Sequence, residues 1–242
     1  MLRLAVIGDP VEHSKSPELQ HGFLDEAGIA GTYEAIRVAA GACASAVDAL
    51  RRHGYAGLNV TTPLKEEAFL RAERCDPVAL AARAVNVLLL RPECVEGHNT
   101  DGVGALAALR EAGLGESHGA RVLVLGTGPT ARAVLVALAA GGAQSFVWSR
   151  TPALARANAM ALEARIWRPT EPIEAAIATL PPGATLDPDL RAALLKTRIV
   201  IDANYGPRAT LGAALGRGDV HDGLAMLRAS SRASFELFRL LR

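Results

Sequence analysis

The middle of the chain shows a strand, a glycine-containing turn, a helix and a second strand in direct succession. The apolar run Arg121–Leu125 predicts a buried strand, residues 129–140 predict a helix, and residues 145–148 predict the next strand. A β-α-β order requires parallel strands joined by a right-handed crossover. The sequence therefore predicts an α/β fold with a parallel sheet in this region.

The composition favours two modest, well-packed α/β domains. Half of the 242 residues are hydrophobic and 21% are charged, which argues against disorder. The 26 lysines and arginines nearly balance the 25 aspartates and glutamates, so we expect neither a nucleic acid nor a membrane as a partner. The cysteines have no CxxC spacing and no export signal is visible, which indicates reduced thiols in a cytoplasmic protein. The histidines and cysteines have no metal-ligand spacing, so we expect no metal site.

Apolar periodicity predicts further elements on both sides of this region. Before it we expect strands at residues 4–8, 33–38, 57–60 and 84–90, an edge strand near 94–96, and helices at 16–27, 43–53, after 65 and at 101–112. Ser16 is expected to cap the first of these helices. Beyond the region we expect helices at 153–163 and 224–241 and a strand at 199–202, while 173–180 is ambiguous.

The turn Gly126-Thr127-Gly128 stands where a dinucleotide-binding turn is found, between a strand and a helix. Glycines let the backbone approach a pyrophosphate, and the helix start offers amide donors. Pro129 removes one such amide. An ordinary strand–helix turn is the alternative.

The end of the following strand indicates which dinucleotide binds. An NAD site usually places an acidic residue there, but the segment reads Trp148-Ser149-Arg150-Thr151 and no acid occurs from Gly142 to Asn158. Arg150 can pair with a 2′-phosphate, and Ser149 and Thr151 can donate hydroxyl hydrogen bonds. We therefore expect NADP as the cofactor. The alternative is that Arg150 is an ordinary surface residue.

Lys65 and Asp101 form a candidate proton-transfer pair. A carbonyl that receives a hydride becomes an alkoxide and must be protonated. Lys65 can give that proton and Asp101 can hold the ammonium group, although either could be merely a helix-start residue. Polar side chains at strand and loop ends are expected to bind the substrate nearby, namely Ser14, Ser16, Asn59, Thr61 and Asn86.

Taken together, these residues resemble the shikimate dehydrogenase family, which reduces 3-dehydroshikimate to shikimate with NADPH in aromatic amino-acid (chorismate) biosynthesis. The resemblance covers nearly the whole chain in six ordered segments: Gly8 to Pro10 with Ser14 to Pro17, Asn59 to Lys65, Ala84 to Asn86, Gly97 to Asp101, Gly126 to Ala131 with Ser149 to Thr151, and Asp202 to Pro207 with Gly223, Met226 and Leu227.

The resemblance implies a domain organisation and a set of roles. It implies a substrate-binding catalytic domain at residues 1–102, completed by the helix in 223–242, and a Rossmann-like NADP-binding domain at 103–222. It implies catalysis by Lys65 and Asp101. The implied substrate-binding residues are Ser14, Ser16, Asn59, Thr61, Asn86, Asp101, Tyr205 and Ser230. The implied cofactor-binding residues are Gly126, Thr127, Gly128, Pro129, Thr130, Ala131, Ser149, Arg150, Thr151, Ala203, Gly223 and Met226.

Departures from the family pattern keep two alternatives open. Ser230 stands where the family has a substrate-binding glutamine, so a paralogue acting on quinate or a related cyclic hydroxy acid is one alternative. Pro129 and the altered cofactor segments leave a ligand-binding relative with little catalysis as the other. The substrate is expected to be a small molecule in either case, and the protein to be a monomer or a homodimer.

Overall fold

The structure is a computed structural model that describes residues 1–241, and the chain divides into two compact units. The first unit comprises Met1–Thr100 together with the chain from Ser230 onward, and the second comprises Asp101–Ala229. The sequence placed these boundaries after residue 102 and before residue 223. The binding roles of the two domains stay a prediction.

The first unit is built on a six-stranded mixed sheet with the strand order β2-β1-β3-β5-β6-β4. Its strands are β1 (Leu2–Gly8), β2 (Gly31–Arg37), β3 (Gly57–Val60), β4 (Arg74–Cys75), β5 (Val87–Leu90) and β6 (Val95–His98). Its helices are α1 (Ser16–Glu26), α2 (Cys43–Arg52), α3 (Lys65–Arg71) and α4 (Pro77–Ala82). Strands β2, β1 and β3 run parallel, whereas β5 is antiparallel to both of its neighbours, β3 and β6.

The second unit is built on a five-stranded, fully parallel sheet with the order β11-β10-β7-β8-β9. Its strands are β7 (Arg121–Leu125), β8 (Gln144–Trp148), β9 (Arg165–Ile166), β10 (Ala175–Ala178) and β11 (Ile199–Asp202). Its helices are α5 (Asp101–Glu111), α6 (Pro129–Ala140), α7 (Pro152–Ala161), α8 (Pro188–Lys196) and α9 (Leu211–Leu215), with a short 3-10 helix at Gly206–Arg208. Helix α10 (Leu224–Arg239) begins in this unit, and its residues from Ser230 belong to the first.

Both faces of the first sheet are covered, because successive side chains of a strand point to opposite faces. Leu88 packs with Val47 of α2. Its neighbours Val87 and Leu89 pack instead with two phenylalanines of α10, Phe235 and Phe238. The predicted return of the C-terminal helix to the N-terminal domain is therefore confirmed, as is the α/β fold class.

Two predictions about elements need revision. The strand near residues 94–96 was predicted at a sheet edge, but β6 lies between β5 and β4. The two-residue strand β4 that covers it is too short for a periodicity signal. The ambiguous segment 173–180 contains β10, whose four residues are all buried because the strand pairs with β7 and β11. No helix among residues 1–241 combines the length and apolarity that crossing a membrane requires.

Candidate active site

The loop from Asn59 to Lys65 is attached to the end of strand β1. The Thr61 amide donates to the Ile7 carbonyl at 2.9 Å, and the Asp9 amide donates to the Thr62 carbonyl at 2.9 Å. Gly8 permits this approach, because a Cβ on it would lie 2.9 Å from the Thr62 carbonyl oxygen and closer still to the Thr61 side chain. Thr61 and Lys65 are therefore presented at the carboxyl end of two parallel strands, where α/β sheets bind ligands.

Lys65 is the half-buried first residue of α3. Its carbonyl oxygen accepts a hydrogen bond from the Val85 amide at 2.9 Å. This bond ties the start of α3 to the segment that carries Asn86. Two predicted site residues from separate parts of the sequence are thus brought together within the first unit.

Tyr33 links two predicted substrate-binding residues. Its buried phenol donates to Asn59 Oδ1 at 2.7 Å and is also hydrogen-bonded by the Ser16 hydroxyl. Burial raises the pKa of Tyr33 well above its ordinary value, and the bond from Ser16 opposes this rise only in part. Tyr33 therefore remains a neutral donor. Sequence reasoning missed it, because an aromatic residue in an alternating strand is normally a core residue.

Asn86, Thr100 and Ser230 form a second hydrogen-bonded set in the same unit. Asn86 Oδ1 accepts from the Thr100 amide at 2.8 Å, and Asn86 Nδ2 donates to Thr100 Oγ1 at 3.1 Å and to Ser230 Oγ at 3.4 Å. Thr100 Oγ1 and Ser230 Oγ are 2.8 Å apart. Asn59 Nδ2 donates to the Asn86 carbonyl at 3.4 Å, which joins this set to Tyr33.

The predicted capping role of Ser16 is wrong. Ser16 is already the first helical residue of α1, and Lys15 occupies the N-cap position without a side-chain cap bond. Ser14 Oγ instead accepts from the Ser16 amide at 3.2 Å. Because Ser16 lies inside the helix, its buried hydroxyl is directed to Tyr33 and does not cap the helix.

The glycine turn of the second unit connects β7 to α6 as predicted. Gly126 has φ +116°, a conformation that favours glycine, and a Cβ there would collide with Thr179 Oγ1. Gly128 is the N-cap of α6, and a Cβ on it would meet nothing within 4 Å. The turn therefore leaves an open backbone surface at a helix start, where Thr130 and Ala131 follow Pro129. This arrangement fits an anionic group such as a pyrophosphate.

The carboxyl end of strand β8 lies at the same edge of the sheet as the glycine turn. The Gly126 amide donates to the Trp148 carbonyl at 2.9 Å, so Ser149 follows directly beside the turn. Arg150 and Thr151 are exposed, and the Thr151 amide donates to Ser149 Oγ at 3.2 Å. A cation and two hydroxyls beside the open turn fit a dinucleotide that carries a 2′-phosphate.

The segment after β11 supplies further predicted residues. The Ala203 amide donates to the Ala178 carbonyl of β10, and the Gly223 amide donates to the Asn204 carbonyl, both at 2.8 Å. Met226 is buried on the first turn of α10, and Tyr205 is half-buried in the loop that precedes the 3-10 helix. Ala203 thus stands at the carboxyl end of the parallel sheet, the edge that also holds the glycine turn.

Asp101 is the buried first residue of α5. Its Oδ2 accepts a hydrogen bond from Thr130 Oγ1 at 3.1 Å. A Cβ on Gly102 would lie 2.7 Å from the Ala133 carbonyl oxygen, so α5 and α6 approach closely at this point. The predicted catalytic carboxylate, which lies on α5, is therefore hydrogen-bonded to the first turn of α6. Helix α6 is the helix that begins at the glycine turn. Its partnership with Lys65 stays a prediction.

Comparison with known proteins identifies the family. The family model "Shikimate dehydrogenase substrate binding domain" matches residues 6–88. A shikimate dehydrogenase (NADP(+)) of Dinoroseobacter shibae is 36% identical over 96% of this chain and 89% of its own length. The chain belongs to the shikimate dehydrogenase family. A second family member, from Acidiphilium cryptum, is 46% identical, but that match covers 62% of this chain and only about half (54%) of the relative.

A solved shikimate dehydrogenase has the same fold. The shikimate 5-dehydrogenase of Thermus thermophilus, in complex with NADP(H) and shikimate, is 33% identical and has a TM-score of 0.85. The match covers 98% of this chain and 93% of that one. Within residues 1–241 no group of three or more histidine, cysteine, aspartate or glutamate side chains is arranged to hold a metal ion.

Proposed function

We propose that this protein is an NADP-dependent shikimate dehydrogenase, which reversibly reduces 3-dehydroshikimate to shikimate in aromatic amino-acid (chorismate) biosynthesis. The main support is the hydrogen-bonded set that runs from Ser16 through Tyr33 and Asn59 to Asn86 in a member of this family. A small polyhydroxylated acid needs a rigid array of neutral donors and acceptors of this kind. The curated relatives named above carry the same activity in their names.

Lys65 is assigned the proton transfer. During reduction it protonates the oxygen of the reacting carbon, and during oxidation it accepts the same proton. Asp101 is assigned the orientation of the Lys65 ammonium group. The bond from Thr130 Oγ1 supports this role, because it holds the Asp101 carboxylate in a defined position at the start of α5.

The substrate-binding roles follow the chemistry of each side chain. Ser14 and Ser16 are assigned the substrate carboxylate. Asn59, Thr61 and Asn86 are assigned the ring hydroxyls, and Tyr205 is assigned a further contact with the same ligand. Ser230 contributes its hydroxyl through Asn86 and Thr100, to which it is hydrogen-bonded.

The second unit is assigned the cofactor. Residues 126–131 hold the pyrophosphate, and Ser149, Arg150 and Thr151 hold the 2′-phosphate. Ala203, Gly223 and Met226 lie against the nicotinamide. When NADPH is bound it supplies the hydride, and the protein residues position the acceptor and deliver the proton.

We also propose that the protein is cytoplasmic, which is consistent with its three free cysteines, and that it is a monomer or a homodimer.

One observation favours a second candidate function. The Ser230 hydroxyl is hydrogen-bonded to Thr100 Oγ1 at 2.8 Å. This position therefore offers a substrate fewer hydrogen-bonding groups than a long amide side chain would. A substrate with a larger or differently substituted ring, such as quinate, is the substrate class that this position admits.

The function is tested by following absorbance at 340 nm, the reduced nicotinamide band, with shikimate or quinate and with NADP or NAD. We expect turnover with shikimate and NADP to exceed that of every other combination. Preferred oxidation of quinate would replace the first proposal with the second. Absence of turnover in all four combinations would contradict both and favour a ligand-binding relative.

A further inference from the structure

Helix α7 carries one polar residue on its packed face. Asn158 is 9% exposed, and its buried neighbours on the helix, Ala155 and Ala159, belong to the hydrophobic core. A buried amide costs free energy unless it is hydrogen-bonded. Asn158 Nδ2 donates to the carbonyl oxygen of Thr127 at 3.2 Å, so α7 is tethered to the central residue of the glycine turn.

The same carbonyl receives a second donor from α6. Arg132 Nη1 lies 3.2 Å from the Thr127 oxygen. This carbonyl belongs to the peptide between Thr127 and Gly128, and the glycine would otherwise give that peptide freedom to rotate. Two donors on one carbonyl therefore fix the orientation of the peptide in the absence of a ligand.

The orientation of this carbonyl determines the direction of the next amide. In a planar trans peptide the C=O and the following N–H point in opposite directions. With the Thr127 carbonyl directed to Asn158 and Arg132, the Gly128 N–H points away from α7. A Cβ on Gly128 would meet nothing within 4 Å, so the backbone is uncovered at the Cα of this same residue.

Pro129 increases the importance of this amide. Proline has no N–H, so the first residue of α6 cannot donate to an anion. The Gly128 amide therefore supplies a larger share of the donors at this helix start than it would beside an ordinary residue.

We propose that Asn158 is a positioning residue for the pyrophosphate of the cofactor. By holding the Thr127 carbonyl, its amide presents the Gly128 N–H to a phosphate oxygen. This inference rests on the proposed binding of NADP, and it adds a residue to which no role was assigned from the sequence. Asn158 also joins the two phosphate-binding parts of the site, because α7 begins directly after Thr151.

The test is a set of binding measurements with NADP+, 2′-phospho-ADP-ribose and adenosine 2′-monophosphate, made by titration calorimetry. The first two ligands contain the pyrophosphate and the third contains only the 2′-phosphate. We expect Asn158→Leu, which keeps the volume and removes the donor, to weaken the first two about fivefold to tenfold. Adenosine 2′-monophosphate should bind within about twofold of its wild-type affinity, since Arg150 is unchanged.

Two further variants separate positioning from general damage. Arg150→Ala should weaken all three ligands, because each contains the 2′-phosphate. Thr197→Val removes a buried side-chain bond to the Ala193 carbonyl (2.9 Å) in the same unit and should leave all three affinities unchanged. If Asn158→Leu is poorly folded by thermal unfolding, Asn158→Ala removes the same donor with less steric demand and should give the same pattern.

Each outcome decides the matter. Equal weakening of all three ligands by the Asn158 variants would mean that α7 has merely shifted, and no weakening would mean that the tether is irrelevant. Either result overturns the inference while leaving NADP binding intact. A wild-type protein that binds none of the three ligands would overturn the proposed cofactor itself, and the inference with it.

Discussion

Tyr33 connects two of the proposed substrate-binding residues through a single buried hydroxyl. It accepts a hydrogen bond from Ser16 and donates one to Asn59 Oδ1 at 2.7 Å. Fixing Oδ1 in this way fixes which side of the Asn59 amide carries the NH₂ donor. An unpartnered amide could rotate and would present a substrate with either a donor or an acceptor.

We expect Tyr33→Phe to raise the KM for shikimate about fivefold and to change kcat by less than about threefold, since one net hydrogen bond contributes about 1 kcal/mol. Steady-state kinetics at saturating NADP measures both. Tyr55→Phe is the matched control, because Tyr55 is also buried and donates to Glu34 at 2.9 Å. An equal rise of KM in the two variants would show that Tyr33 does not act through Asn59.

The sequence predicts polar residues at or next to strand ends but not residues further inside an element. Asn59, Thr61 and Asn86 were predicted because polar residues at strand ends mark the ligand edge of an α/β sheet. Tyr33 and Asn158 were not, because each lies within a regular element and contacts a residue far along the chain, with separations of 26 and 31 residues. The local sequence pattern carries no information about hydrogen bonds between residues so far apart along the chain.

Among the elements, β6 and α4 are joined by a small charged cluster. Asp76 caps α4 by accepting from the Ala79 amide at 2.6 Å and lies 3.3 Å from His98 Nδ1. His98 Nε2 lies 3.0 Å from Glu96 Oε1 on the other side of the ring. The cluster therefore positions the end of β6, which is followed directly by Asn99 and Thr100.

This cluster predicts a pH-dependent contribution to stability. Burial by itself would lower the pKa of His98, but hydrogen bonding to Asp76 and the charges of Asp76 and Glu96 outweigh it, so the pKa is raised above 6.5. The folded protein therefore holds this proton more tightly than the unfolded chain. The resulting stability is fully present below the unfolded pKa and is lost as pH rises through the folded pKa.

We accordingly expect His98→Gln to reduce the free energy of unfolding by about 1 kcal/mol near pH 5.5, the upper range for a partly exposed pair. The reduction should be smaller near pH 9, because this stability is lost as pH rises through the folded pKa. Urea unfolding of both proteins at the two pH values measures the difference. An equal loss at both values would show that the charge of His98 is irrelevant to stability.

The elements that the sequence predicted well are those with strong local signals. Helix α6 has the predicted bounds, because Gly128 and Pro129 mark its start and Gly141 follows its last residue. The strands β4 and β9 have two residues each and α9 has five, so none shows a measurable period. The role of Ser16 was misjudged for a related reason, since a one-residue shift of the helix start turns the cap into the first helical residue.

At the scale of the whole molecule, α10 connects the two units along the chain and its second half is part of the first unit. Gln20 of α1 donates to the Ser231 carbonyl and to Ser234 Oγ, both at 3.0 Å, which fixes that half of the helix. The same helix supplies Met226 to the second unit and Ser230 to the first. The family was predicted from six ordered motifs, because their combination is specific even though each motif alone is weak. The α/β fold class was predicted from the strand–helix succession, and NADP from the segment that follows β8.

Lys65 is the residue to which we assign proton transfer during NADP-dependent oxidation of shikimate. The most direct measurement is kcat for Lys65→Ala beside Lys196→Ala, an exposed lysine at the end of α8. We predict that Lys65→Ala lowers kcat by about 10²–10⁴-fold, the usual loss for a general acid–base group, while Lys196→Ala retains the wild-type value. A Lys65→Ala enzyme that turns over shikimate at the wild-type rate would contradict the account.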